Sequence, residues 1–558
     1  MGSCPLGDDS GLGTYMVTRV TASAEVAKSA TEAAGKVART VQRNVKRAVA
    51  GSLGLSGERM TKVDTAWLRM DCDANLMMII GVWQLSPGVK YAAVCERIEN
   101  TLLRYDRFRQ RVLEDAGGAT WVEDRSFDLH NHVVLEKLPK VAKGRQQEAL
   151  QDRVAELATQ RLDPKRPLWQ IHLIEDYTGP DGVKGSAMIV RIHHCIADGI
   201  ALISVTMSLV DGGVAPPERG ARSANGKSAA TAAESAENWI ADTLLKPFTD
   251  ISVKALGAVG DGAARSLGML GDRESFKDGI EKGFQKGVQK GIEGSIDMAR
   301  VLYQLASDSA ALALMPDDSK TRLKGKPGGQ KKVAWCQPIP LEDVKAVGKA
   351  LSCSINDVLL SCVAGALGEY LKSCGDDVTG QEIRAMVPVN LRPLDPDGSQ
   401  AQKLGNRFGL APLVLPIGLE NPIERVYEVR KRMSALKGSY QPLLAFGLLA
   451  VAGLLIKPAQ DMMLNLFARK TTAVMTNVPG PRDKLKFCGA TLEQSMFWVP
   501  QSGDVGLGVS ILSYGGGVQF GVITDSLLCP EPQRIVDEFL PEFARLSIVT
   551  LMLPWGDD

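Results

Sequence analysis

The stretch Arg191-Ile192-His193-His194-Cys195-Ile196-Ala197-Asp198-Gly199 decides how this chain is read, because two of its five histidines stand side by side there, four residues ahead of an Asp-Gly. The run Ser186–Ile192 just before it predicts a buried strand, and Asp198-Gly199 followed by Ile200-Ala201-Leu202-Ile203 predicts a turn into a helix. The histidines therefore fall at a strand end. Adjacent residues of an extended chain point to opposite faces, so one imidazole can look into a given cavity while the other packs or hydrogen-bonds behind it. An imidazole titrates near neutrality and is the usual base for taking a proton from a hydroxyl. Asp198 has two readings: it orients the working ring directly, as in a hydrolase triad, or it turns away and holds the loop by pairing with an arginine. Its closeness in sequence, at a turn, favours the second.

Working outward, 558 residues are too many for one ordinary core and suggest two substantial domains with appendages. A 45% hydrophobic and 23% charged composition is that of a globular soluble protein, and a formal charge of +1 gives no overall steering toward nucleic acid. The ten cysteines show no Cys-x-x-Cys and no histidine at metal-ligand spacing, so no metal is expected. They read as thiols of a reducing, cytoplasmic setting, there being no secretory signal at the N-terminus. Cys195 is a weak candidate nucleophile: in an extended segment it shares a face with His193, not with His194. The longest apolar segment, Leu443–Ile456, is shorter than the roughly 20 residues that cross a bilayer and is expected to be a buried helix or one lining an apolar channel.

Four regions follow. Residues 1–57 form a basic amphipathic arm: seven basic residues against two acids between Met16 and Ala50, with Val37, Val41 and Val45 on one side. It suits an anionic lipid surface, with an organelle-targeting peptide and a plain solvated helix as the rival readings. Residues 58–215 form a first α/β domain that ends just past the histidines. Residues 216–332 combine an Ala-, Ser- and Gly-rich linker with a repeat in which Phe276, Ile280, Phe284, Val288, Ile292 and Ile296 recur every four residues. A step of four on a 3.6-residue helix drifts by about 40° per repeat and needs a broad partner, either lipid or the protein's own body. Residues 333–558 form the second domain, with strands expected at Ala385–Val389, Leu410–Leu415, Ala473–Met475, Gly506–Leu512 and Val518–Ile523. Two comparable halves imply a cleft.

Further motifs stand in order along the chain. They are Pro167-Leu168-Trp169, His193-His194-x-x-x-Asp198-Gly199, Asn356-Asp357, Val387-Pro388-Val389-Asn390-Leu391-Arg392-Pro393, Gly405-Asn406-Arg407 and Asn477-Val478-Pro479-Gly480-Pro481. Together they make the chain resemble the bacterial-type wax ester synthase/diacylglycerol acyltransferase family over about residues 60 to 550. The family in turn is similar to the chloramphenicol-acetyltransferase and condensation-domain superfamily. The resemblance implies two related mixed α/β domains with a tunnel at their interface, donor and acceptor entering from opposite ends.

By that resemblance His194 takes the proton from an acceptor hydroxyl and the freed oxygen attacks an acyl-CoA thioester, while His193, Asp198 and Gly199 keep the loop in shape. Acyl-CoA is a co-substrate and no cofactor is implied; the acceptor is a long-chain alcohol, diacylglycerol or both. The residues agree on one point: the chain has no Gly-x-Ser-x-Gly elbow, and direct transfer needs no nucleophilic side chain. Asn356 is the candidate amide donor to the oxyanion, its rival role being the N-cap of the helix beginning at Asp357. Arg392, Arg191 and Arg407 are candidate partners of Asp198. Pro167-Leu168-Trp169 is expected to pack a strand base, and Asn477–Pro481 to shape the tunnel wall. Two alternatives share the double histidine: a condensation-like acyltransferase taking its donor from a carrier protein, and a non-catalytic scaffold on a lipid surface. Apolar substrates would place the protein at a membrane or lipid-inclusion surface, as a peripheral and not a spanning protein.

Overall fold

The run predicted to be a strand before the histidines is one: Lys184–His193 sits inside a mixed sheet, flanked on both sides by hydrogen-bonded neighbours. The computed structural model describes residues 57–115, 118–142, 144–217, 307–308, 311–312, 315–391, 404–453 and 457–553. Nearly all of these belong to one compact unit, residues 56–114, 118–224 and 311–558. The basic arm, the linker, the four-residue repeat and Arg392 lie outside the described residues.

In chain order the strands of the unit are β1 (Glu58–Arg59), β2 (Met78–Ser86), β3 (Gln110–Asp115), β4 (Gly118–Glu123), β5 (Val133–Glu136), β6 (Trp169–Thr178), β7 (Lys184–His193), β8 (Lys331–Trp335) and β9 (Ile339–Pro340). They continue with β10 (Ile383–Asn390), β11 (Phe408–Leu415), β12 (Ala473–Pro479), β13 (Lys486–Phe487), β14 (Ala490–Trp498), β15 (Leu507–Tyr514) and β16 (Gly517–Asp525). A six-stranded sheet runs β13-β14-β2-β7-β6-β5; a seven-stranded one runs β11-β10-β12-β15-β16-β8, with β9 paired to β16. Each mixes parallel and antiparallel pairs, β5 with β6 in the first and β12 with both β10 and β15 in the second being parallel. The α/β class with mixed sheets is therefore as expected, and each of the five strands anticipated in the second half is present.

One strand departs from the expected division at residue 333. β14 leaves the second half and pairs antiparallel with β2 of the first, from Thr491 opposite Ser86 to Trp498 opposite Ile80. The next strand, β15, returns to lie beside β12. The alternation of buried and half-buried residues along β14 makes it a strand in any sheet with one open face; the period does not say which sheet. The second half thus forms the seven-stranded sheet and also lends β13 and β14 to the first. Trp498 and Met496 of β14 share a core with Ile80 and Val82 of β2 and with Val333, Trp335 and Ile523 of the second sheet.

The helices that set the site are α1 (Lys62–Arg69), α2 (Tyr91–Asn100), α3 (Gln146–Thr159), α4 (Gly199–Leu209), α5 (Leu341–Ala350), α6 (Ile355–Ser373), α7 (Pro422–Lys437) and α8 (Gln441–Ala452). α6 is the hydrophobic axis of the second half, buried from Asp357 to Gly368. Its N-cap is Ser354, whose hydroxyl accepts the Asp357 N–H while the Asp357 carboxylate accepts the Ser354 N–H in return. That reciprocal box satisfies two of the helix's orphan donors and is worth about 1 kcal/mol. The cap is therefore Ser354 and not Asn356. α8 is the apolar segment noted at Leu443–Ile456; its side chains at Leu444, Phe446 and Leu449 are buried. Among the described residues, no single helix is long and apolar enough to cross a membrane.

Candidate active site

β7 ends on His193, opposite Met78 of β2. His194 continues the pairing by donating its N–H to the Met77 carbonyl at 2.7 Å. The chain then turns, and Asp198 caps α4 by accepting the Ala201 N–H on Oδ1 at 3.0 Å. His193, His194 and Asp198 are all buried. Strand pairing on one side and a helix cap on the other thus leave the loop between them little freedom.

The two rings have different neighbours, as strand alternation requires. His193 lies 3.4 Å through Nε2 from Asp71 Oδ1, and its Nδ1 accepts the Cys195 N–H at 3.2 Å. This places its proton on Nε2, facing the carboxylate. Burial opposes a charge on this ring, the neighbouring Cys195 and Asp71 favour it, and its affinity for a proton ends above that of an ordinary histidine. Asp71 also accepts the Met77 N–H at 2.6 Å and pairs with Arg161; despite burial, these partners and His193 keep its carboxyl below the usual range.

The His194 ring lies face to face with the Trp67 indole of α1, centroids 4.4 Å apart and planes 15° from parallel, and Phe408 leans on it at 5.5 Å. Aromatic pairs of this kind contribute about 0.5–1.5 kcal/mol beyond the area they bury. Nδ1 of His194 is buried with no hydrogen-bond partner. Desolvation therefore dominates: its own carbonyl, Asp198 and Asn406 favour the protonated ring, burial outweighs them, and its pKa is pushed down to about 4. At neutral pH this ring is an uncharged base.

Asp198 turns away from the ring, as the second reading anticipated. Its Oδ2 accepts the main-chain N–H of Arg407 at 2.9 Å. The arginine contact is thus through the backbone. Arg191 is engaged elsewhere, donating to Gln170 Oε1 and to the Gln160 carbonyl. Gly199 opens α4 at a point where a Cβ would meet nothing within 4 Å.

Several residues join the site that the sequence reading did not assign to it. Asn406, which follows Gly405 in the Gly-Asn-Arg motif, donates Nδ2 to the His194 carbonyl at 2.7 Å and to Asp64 Oδ1 at 2.8 Å. Its own N–H also donates to Asp64. Asp64 is fully buried, which raises its pKa, although Arg107 at 3.5 Å, Asn406 and Thr61 pull the other way. Arg107 lies over the Trp121 ring and reaches the Ile196 carbonyl. Asn356, by contrast, is exposed and accepts Asn477 Nδ2 at 2.8 Å on its Oδ1. The asparagine that touches the histidine motif is Asn406.

Beside this loop is a cavity of about 160 Å³. The first sheet supplies one wall through Ile79 and Trp83 of β2 and Met188, Val190 and Ile192 of β7; the inner side of α4 from Gly199 to Leu209 supplies another. Val478, Gly480 and Pro481 from the end of β12 and its turn complete the side facing the second sheet. His194 does not line it; the cavity meets the motif at Ile192 and Gly199. Its far end is formed by Trp83, Phe487 and Leu209, with Trp83 edge-on to Phe487. Trp169 lines it too, and its indole N–H donates to the Phe108 carbonyl, so Pro167-Leu168-Trp169 packs a strand base as expected.

Comparison with known proteins is consistent with this architecture. Residues 60–359 match the wax ester synthase/diacylglycerol acyltransferase catalytic domain, and residues 404–547 match the WS/DGAT C-terminal domain. The chain is similar to the probable diacylglycerol O-acyltransferase tgs1 of Mycobacterium tuberculosis, 27% identical over 88% of this chain and 96% of that protein. It is 24% identical to wax ester synthase/diacylglycerol acyltransferase 8 of Arabidopsis thaliana, over 86% of this chain and 93% of that one. In fold it is similar to the wax ester synthase/diacylglycerol acyltransferase of Marinobacter aquaeolei VT8, with a TM-score of 0.56 at 20% identity, covering 89% of this chain and 100% of that one. The first condensation domain of the calcium-dependent antibiotic synthetase superposes with a TM-score of 0.50 at 13% identity, over 89% of this chain and 96% of that chain.

Proposed function

Because the chain belongs to the wax ester synthase/diacylglycerol acyltransferase family and is therefore an acyltransferase, we propose that it moves a fatty acyl group from acyl-CoA to a long-chain alcohol or diacylglycerol with His194 as general base. The observation that carries this reading is the His194 ring: buried, uncharged at neutral pH, and held by Trp67 at the end of β7. The acceptor O–H gives its proton to the imidazole, and the oxygen adds to the thioester carbonyl. The tetrahedral oxyanion then collapses, breaking the C–S bond, and the imidazolium returns the proton to the departing CoA thiolate. The ester forms without an acyl-enzyme, and the reaction as written draws on no group beyond its two substrates.

Nδ1 is buried, so Nε2 is the nitrogen assigned to the transfer. Asn356 remains the amide assigned to the oxyanion: with its Oδ1 taken by Asn477, its Nδ2 is left to donate, and Asn477 precedes Val478 in the cavity wall. His193, Asp198 and Gly199 position the loop. The apolar cavity beneath α4 takes an alkyl chain of one substrate. The basic amphipathic arm at residues 1–57 and the repeat at 276–296 suit peripheral contact of a cytoplasmic protein with an anionic membrane or lipid inclusion.

The test is CoA release by purified protein from palmitoyl-CoA, with hexadecanol or diacylglycerol as acceptor, for wild type and His194→Ala. Release that needs an acceptor and is lost in the variant supports the reading and ranks the acceptors. Folded wild type that releases CoA with neither acceptor, but transfers from a carrier-protein thioester, would replace the donor. A His194→Ala variant of full activity would remove the base.

A further inference from the structure

Two residues of one short helix bear on His194, one on its ring and one, through Asn406, on its main chain. α1 presents Asp64 and Trp67 three residues apart, hence on one side of the helix. Trp67 covers a face of the His194 ring at 4.4 Å; Asp64 fixes Asn406, which in turn holds the His194 carbonyl at 2.7 Å. The helix thus holds this residue at both ends, ring and main chain. α1 is itself fixed: Thr61 caps it by accepting the Asp64 N–H, and α8 lies against it, close enough at Gly453 that a Cβ would overlap the Lys62 carbonyl.

We propose that Trp67 and Asp64 are positioning residues for the acyl transfer, a clamp in which the indole fixes the plane of the His194 ring and shields it from water while Asp64 sets its main chain through Asn406. The inference rests on His194 being the base. Neither residue lines the cavity, so the clamp acts on the base and not on the substrate.

The charged groups around the ring come from each packed element: His193 from β7, Asp198 from the cap of α4, Asp64 from α1 and Arg107, which pairs with Asp64. Asp198 favours the ring's protonation, His193 opposes it, and Asp64 is offset by Arg107 and Asn406. What keeps the ring neutral is exclusion of water, and Trp67, stacked on one face with Phe408 tilted beside the ring, is the larger surface that excludes it. Removing the indole while leaving these four side chains in place should therefore return the ring toward the ordinary histidine range. A role confined to holding the fold together would not do that.

The experiment compares Trp67→Phe and Trp67→Leu with wild type in kcat, KM and the pH profile of kcat/KM. Trp67→Leu is expected to lower kcat by about tenfold or more through loss of alignment, with KM within about twofold. Its acid limb should move up toward a pKa of about 6.5. Trp67→Phe, which keeps an aromatic face, should stay near wild type in both. A Trp67→Leu enzyme with reduced kcat and an unmoved acid limb would overturn the clamp, as would one with only KM changed or with unchanged kinetics.

Should Trp67→Leu not fold, histidine NMR of the wild-type protein decides. The imidazole signal missing from His194→Gln must be shifted upfield by the indole and must titrate well below the ordinary histidine range. A signal with neither property overturns the clamp. The NMR signature does not depend on turnover, so it separates failure of the clamp from failure of His194 as the base.

Discussion

Asp198 Oδ2 accepts the main-chain N–H of Arg407 at 2.9 Å, while Oδ1 of the same carboxylate caps α4 through Ala201. One side chain therefore ties the histidine loop to the segment that leads into β11. The two oxygens do separate work, and both accept. In Asp198→Asn one of them becomes an NH2 group facing an N–H donor, which leaves a buried donor unsatisfied at a cost of about 1–3 kcal/mol. Asp198→Ala loses the cap as well. The expected result is a folded Asp198→Asn protein with a lower Tm and activity reduced through kcat; thermal unfolding and steady-state kinetics check it. Activity and Tm equal to wild type would show that the loop does not depend on this pairing.

The pH dependence follows from His194. Its pKa is about 4 in the folded protein and about 6.5 in an unfolded chain. At pH 5 a ring with the folded value is about nine-tenths neutral, whereas an ordinary one is roughly a thirtieth neutral. Hence kcat/KM at pH 5 should be close to its value at pH 7, with the acid limb set lower. The same shift acts on stability in a defined direction. Between about pH 6.5 and pH 4 the unfolded chain binds a proton here that the folded one does not, so the contribution of this group falls as pH drops through that window. Activity against pH, with urea unfolding at pH 7 and pH 5, tests both.

Gly199 has no steric need to be glycine: it opens a helix, and a Cβ would meet nothing within 4 Å. It does line the cavity at the end that meets the motif. Gly199→Ala should fold with unchanged or slightly higher stability, gaining up to about 1 kcal/mol from the stiffer unfolded chain. Gly199→Leu should fold as well but fill the cavity mouth. The expected outcome is a shift of acyl or alcohol preference toward shorter chains, read with a C8 to C18 series of each substrate. An unaltered chain-length profile in the leucine variant would place the alkyl chain elsewhere.

How far these features were legible depends on the range over which the contacts act. The placement of His193 and His194 at a strand end and of Asp198 at a helix start follows from local period and turn chemistry, and the structure agrees with it. The capping box was also local: Ser354 and Asp357 stand three residues apart, and that spacing, more than Asn356, was the signal for the cap of α6. Asn406 and Asp64 are 342 residues apart, and His194 and Asn406 are 212 apart. No periodicity encodes such pairings. Asn406 was visible only as part of Gly405-Asn406-Arg407, and no sequence pattern singled out Trp67. The crossing of β14 into the first sheet is illegible for the same reason, since alternation fixes a strand's faces and not its neighbours.

Gly453 connects packing at a distance to the site. It ends α8 where that element meets α1, and a Cβ there would overlap the carbonyl oxygen of Lys62, at the first turn of α1. Backbone cannot yield as a flexible side chain does, so Gly453→Ala has to push α1 and α8 apart. Overpacking of this kind costs about 1–3 kcal/mol. The displacement falls on the helix that carries Asp64 and Trp67, two and five residues beyond Lys62, and hence on the setting of His194. The prediction is a Gly453→Ala protein that folds with a lower Tm and loses kcat beyond what its folded fraction explains. Gly199→Ala serves as the control for adding a methyl group. If Gly453→Ala lost stability yet kept wild-type kcat per folded molecule, α1 would be able to move without disturbing the base.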